Sequence, residues 1–136
     1  MRRSAGIGLA VQAFAAAAIA QEAAQADTLR LPSGLDARLQ EVVTDRRAGS
    51  GLIYRFRFVA DGFEGGEAEF DRVTSDLEWL CTEYALPRIA EIGPRPGRVV
   101  ISLADRPSVF GGHDPDVVQV FEAFRPEDGT CNWEMF

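Results

Sequence analysis

The 136-residue sequence has no lysine, one histidine and two cysteines. Each scarcity excludes a class of chemistry. A serine relay would have to run through His113, yet Ser33, Ser50, Ser75, Ser102 and Ser108 all lie outside any G-x-S-x-G turn. His113 also follows Gly111 and Gly112, a poor mounting for an oriented general base. The cysteines are fifty positions apart, far from the C-x-x-C spacing in which one thiol tunes the other. No glycine-rich phosphate loop, nucleotide fingerprint or haem-attachment motif occurs. The residues therefore point to no catalytic centre and no cofactor.

Long apolar runs are also scarce, and the one present is N-terminal. Arg2 and Arg3 precede a stretch over 5–20 that is apolar except for Gln12. Ala18-Ile19-Ala20 and Ala24-Gln25-Ala26 then supply small residues at the −3 and −1 positions of a cleavage site. This is the order of a secretory signal peptide, residues 1–26, with cleavage after Ala26 preferred to Ala20. A membrane-spanning helix needs about 20 consecutive apolar residues, more than this run offers. Ser4-Ala5-Gly6 is not the usual sequel to a twin-arginine pair, so the general secretion route and a periplasmic address are expected. No cysteine precedes Cys81 to carry an N-terminal lipid, so no membrane anchor is expected once the signal is cleaved. Phe136 resembles the terminal aromatic of outer-membrane barrels, but eight or more lipid-facing strands are not there.

The remaining stretch, 27–136, suits a single α+β domain of 110 residues. It holds 12 arginines against 20 acidic residues, a net charge of −8. That balance disfavours nucleic acid, whose binding rests on phosphate neutralisation, and anionic membrane surfaces. Residues 28–31, 37–44, 52–59, 98–104, 117–125 and 130–136 read as strands. The clearest is 52–59, where Leu52, Tyr54, Phe56 and Phe58 alternate with Ile53, Arg55, Arg57 and Val59. Asp71 is placed to cap a helix over 71–85, whose Val73, Leu77, Leu80, Cys81 and Tyr84 form one apolar stripe. Pro87 suits the first turn of a short second helix to Ile92, ended by the Pro/Gly-rich 93–97. Pro126-Glu127-Asp128-Gly129 turns the last two strands into a hairpin. The expectation is a mainly antiparallel sheet of five to six strands, packed on one amphipathic helix plus a short second one.

Behind a signal peptide, two cysteines read as one disulfide. Cys81 on the helix stripe and Cys131 on the last strand would staple helix to sheet, and would turn Trp133 and Met135 into the core with Asn132 and Glu134 outside.

Candidate binding residues concentrate in the loop from Arg106 to Asp116, with Phe110, His113 and Asp114 between them. His113, Asp114 and Asp116 are too few for a zinc site and too sparse for a calcium loop. Arg55 and Arg57 are expected to pair across the sheet with Glu122 or Glu134. Glu64, Glu67, Glu69 and Asp71 form an acidic group that suits a helix N-terminus, and nothing sets two of them around a cleft for glycoside hydrolysis.

Residues 51–58, 80–94, 101–107 and 127–134, which include Leu80-Cys81-Thr82-Glu83-Tyr84 and Gly129-Thr130-Cys131-Asn132-Trp133, resemble an uncharacterised exported family of Rhodobacter-type alphaproteobacteria. That family is classed as a domain of unknown function, and the resemblance implies no activity. Some members carry the name of acetolactate synthase, whose several large α/β domains cannot be built from 110 residues. The expected role is an interaction or assembly module with a periplasmic protein partner. The competing expectation is a small hydrolase or a metal or ligand binder built on His113.

Overall fold

The computed structural model describes residues 28–49 and 51–134; the leader with its two cleavage sites, Ser50, Met135 and Phe136 lie outside the described residues. The strands are β1 (Thr28–Arg30), β2 (Asp36–Arg47), β3 (Gly51–Val59), β4 (Arg98–Ala104), β5 (Gln119–Glu127) and β6 (Thr130–Trp133), and the helix α1 covers residues 70–92. They form one six-stranded sheet in sequence order, antiparallel except for the parallel β3–β4 pair. That exception follows from chain geometry, since parallel neighbours need a long crossover and α1 is the crossover. The α+β class and the helix-on-sheet layering agree with the sequence.

The period-two pattern of β3 divides the sheet into two faces. Tyr54, Phe56 and Phe58 face α1 and are buried with Val99, Ile101, Leu103 and Phe124 of β4 and β5. Tyr84 of α1 meets Phe58 edge-on at 5.4 Å between ring centres and Phe56 at 6.5 Å. Leu77 and Leu80 complete the contact. Each such side chain contributes about 2 kcal/mol on removal from water.

Three local expectations are corrected. The helix does not begin at a cap on Asp71, because a 3₁₀ turn at Glu67–Glu69 winds directly into it and leaves Asp71 in the first turn. Nor is there a separate second helix. α1 is α-helical over Phe70–Trp79, π-helical over Leu80–Ala85 and α-helical again over Leu86–Ile92. Pro87 lacks an amide hydrogen and its ring crowds the preceding turn. The widened π turn, in which the Leu86 amide reaches the Cys81 carbonyl five residues back, lets the helix pass that residue instead of stopping.

The third correction concerns β6. The Cys81–Cys131 disulfide is present, with Cα atoms 6.1 Å apart, and the Cys131 amide also donates to Thr82 Oγ1 at 3.1 Å. Trp133 does lie opposite Phe124, on the face of Cys131. It is nonetheless 49% exposed: β6 is the edge strand, α1 does not reach past Cys131, and the indole N–H donates to Glu122 at 2.6 Å. The hairpin itself follows its sequence, Asp128 and Gly129 both at positive φ, as a type I′ turn requires.

Reduction, or Cys81→Ala, removes a clasp spanning 50 residues, which is worth about 4 kcal/mol on the chain-entropy scale. Thermal unfolding with and without reductant should show a loss of more than ~10 °C for a domain of this size. Burial separates two aromatic neighbours in the same way. Phe124→Ala should cost about 3–5 kcal/mol and Trp133→Ala about 1 kcal/mol or less, measured by denaturant unfolding.

Candidate functional site

The second face of the sheet carries Arg55 and Arg57 where the first carries aromatics, and no helix covers it. Arg57 is 5% exposed at its centre, and a buried guanidinium needs partners for its donors. Glu41 of β2 pairs with Nη1, and Ser108 Oγ accepts from Nη2 at 2.9 Å. Arg55 makes a longer pair with Asp45 of β2, at 3.7 Å. The expected partners, Glu122 and Glu134, are engaged elsewhere: Glu122 holds Trp133, and Glu134 takes Arg98 at 2.8 Å and Arg125 at 3.4 Å. The physical reason is adjacency. β2 pairs directly with β3, setting Glu41 opposite Arg57, whereas β4 separates β3 from β5.

Ser108 belongs to a loop, residues 106–117, closed at its base like a purse. The Asp105 amide donates to the Val118 carbonyl, and the Val118 amide donates to Asp105 Oδ1, both at 3.0 Å. The loop then folds back over the sheet. A bulge interrupts β2 between Leu39 and Glu41, and the extra residue, Gln40, donates from Nε2 to the Ser108 carbonyl at 2.8 Å. Phe110 lies over both guanidiniums, 5.8 Å from Arg55 and 5.6 Å from Arg57.

Between loop and sheet lies a groove of about 700 Å³. Arg55, Arg57, Val100, Ser102, Gln119 and Phe121 form its sheet side, and residues 107–114 with Val117 form the loop side. Of the loop residues singled out from the sequence, Phe110, His113 and Asp114 line it. Arg106 and Asp116 do not. Arg106 pairs with Asp105 at 3.0 Å; this contact holds the Asp105 carboxyl below its ordinary range and raises the guanidinium in turn. The Asp116 amide is bound by Asp114 Oδ1 at 3.0 Å. Among the described residues, no three of His, Cys, Asp and Glu converge as metal ligands. Ser108 Oγ is engaged by a cation, an environment that does not sharpen it as a nucleophile.

Gln40, Gln119 and Phe121 escaped the sequence reading. A bulge leaves no mark in hydrophobic periodicity, so Gln40 looked like an ordinary strand residue. Phe121 at 66% exposure is an aromatic that alternation alone assigns to a core.

Two measurements test this construction. Arg57→Gln should cost about 2 kcal/mol, the scale of hydrogen bonds to a charged group, and should speed amide exchange in residues 106–114; Arg55→Gln should leave both nearly unchanged. The pH dependence follows from Glu134, whose carboxyl is held below its ordinary range first by the Arg98 hydrogen bond and then by Arg125. A depressed folded pKa adds stability that is full above the unfolded value of about 4.3 and is lost as pH falls through the lower, folded one. Acid unfolding of Glu134→Gln should therefore show a flatter limb below about pH 5 than the parent chain.

No curated protein and no solved structure matches the chain. Residues 10–136 match the family model DUF6497, described as a family of unknown function, and with nearly the whole sequence covered the chain belongs to that family.

Proposed function

We propose that this protein is an exported, non-enzymatic interaction module of the periplasm, and that the groove beneath the 106–117 loop is the surface it works with. The groove carries the reading. The loop is tied down at Asp105, Gln40 and Arg57, and encloses about 700 Å³, within the ordinary range of ligand sites. Its lining combines two guanidiniums with Val100, Phe110, Val117 and Phe121, in a chain whose net charge is −7. A positive hollow in an otherwise acidic molecule selects anionic, partly apolar partners at that place. Val109 is 80% exposed on the loop and Phe110 48%, so the rim offers the aromatic and aliphatic anchors typical of contact surfaces.

Export is supported by the signal-peptide pattern of residues 1–26 and by the formed disulfide, which suits an oxidising compartment. No helix among the described residues is long and apolar enough to cross a membrane.

The test has two arms. Cell fractionation and N-terminal sequencing should find the protein in the periplasm, beginning at Asp27 or Gln21; a cytosolic protein with its leader intact overturns the export reading. A photo-crosslinking side chain at position 109 or 121 should give discrete adducts in cells, while position 91, on the exposed end of α1, gives none. Identical adducts from all three positions remove the groove as the working surface.

A further inference from the structure

The groove ends at a strand edge that the fold leaves open. β6 pairs with β5 only over Phe124–Glu127, and its last bond runs from the Glu134 amide to the Ala123 carbonyl at 2.9 Å. Among the described residues, nothing pairs with Gln119, Val120 or Phe121 on the side away from β4. Strand alternation fixes which groups are offered there. The Asp105 amide bonds the Val118 carbonyl, so the even-numbered residues of β5 turn their backbone toward β4. Ala123 bonds toward β6, so Gln119 and Phe121 present both N–H and C=O outward.

Hollows flank this edge on both faces of the sheet. On the loop side Phe121 and Gln119 close the 700 Å³ groove beside Arg55, Arg57 and Phe110. On the helix side lies a smaller hollow of about 220 Å³, lined by Gly65, Gly66, Phe70, Val73, Leu77 and Val120 among others. Phe70 is 55% exposed in it. Gly65 keeps that side open: it has φ +68°, and a Cβ there would stand 2.9 Å from Val118 Cγ1.

Protein edges are normally blunted by charge and bulges. The other open edge, β2 beyond its short pairing with β1, is blunted in that way. It carries the Gln40 bulge together with Glu41, Asp45, Arg46 and Arg47. The β5 edge has no such defence over Gln119-Val120-Phe121.

We infer that β5 receives an added strand: an extended segment of a partner polypeptide pairs with Gln119 and Phe121, sending alternate side chains into the two hollows. The chemistry of the hollows states the pattern of that segment. Apolar side chains enter the helix-side hollow beside Phe70 and Val73, and acidic ones enter the loop-side groove toward Arg55 and Arg57. Period-two alternation supplies both from one short stretch. A second copy of this chain fits poorly, because β6 lies on the same side of β5 as the open edge and would be brought against the 106–117 loop of its mate. This inference rests on the groove reading above and adds the mode of binding and the partner's sequence pattern.

The probe is an acetylated, amidated hexapeptide alternating glutamate and valine, added to the purified chain and followed by NMR and calorimetry. The amides of Gln119 and Phe121 should gain exchange protection. Methylating alternate backbone nitrogens of the peptide, replacing its glutamates by lysine, or introducing Phe121→Lys at the exposed edge should each weaken binding at least tenfold. Thermal unfolding of Phe121→Lys should stay within a few degrees of the parent. Equal binding of the methylated peptide, or protection elsewhere, overturns strand addition. A concentration-dependent dimer abolished by Phe121→Lys overturns it in favour of a second copy, and binding seen only in a chain ended after Glu134 overturns it in favour of the chain's own last residues. If position 109 crosslinks in cells while Gln119 and Phe121 stay unprotected, strand addition falls and the groove reading stands.

Discussion

Arg57 is the point on which the second face of this molecule depends. One helix can cover only one face of a sheet, and in this chain it covers the aromatic one. The opposite face holds a guanidinium at 5% exposure, which is tolerable only if its donors are used. Glu41 and Ser108 use them, and in doing so join β2, β3 and a loop sixty to seventy residues away from β2 in sequence. Phe110 then lies across Arg57 and Arg55 together. The loop is thus fixed by a polar requirement of the sheet, and the groove beneath it is the space this arrangement leaves.

The two halves of the structure differ in how far they were legible in the sequence. The helix-side layer was legible because it obeys periodicity. Tyr54, Phe56 and Phe58 alternate at two, Val73, Leu77, Leu80 and Tyr84 recur at the helical spacing, and Cys81 lies on that stripe facing Cys131. What escaped on this side was non-periodic: the π turn that carries α1 through Pro87, and the exposure of Trp133, which has the right register on a strand too far out to be covered. The outer face was legible only as a list of residue types. Arg55 and Arg57 were visible as an odd pair of charges, but their partners depended on strand order, and a pattern of alternation says nothing about which strand lies beside which. The loop was visible as Gly- and Pro-bounded sequence from Arg106 to Asp116; that Phe110, His113 and Asp114 turn inward while Arg106 and Asp116 turn away depends on Ser108 being tied to Gln40 and Arg57.

The same contrast separates what stabilises the molecule from what it displays. The clasp at Cys81–Cys131 and the Thr82 bond hold β6 against α1, and the Arg98–Glu134–Arg125 group ties its far end to β4 and β5. These contacts concentrate where β6 pairs with β5, so the strand is well anchored along its short length. Beyond it, the first half of β5 has a partner on one side only, among the described residues. A short, strongly fastened edge strand therefore leaves its neighbour half covered.

That partial cover has an energetic meaning. Had β6 been long and loosely held, its own fluctuations would expose and cover β5 in turn, and the edge would compete with the hairpin for every partner. A disulfide near the start of β6 and a charge network at its end suppress that competition. The uncovered stretch at Gln119–Phe121 is then a constant feature of the folded chain, available without the cost of opening a strand pair. Pre-organisation of this kind raises affinity by removing ordering costs from the binding step. The residues that fasten β6 and the residues that leave β5 open are accordingly two parts of one design, one spent on the fold and the other left for contact.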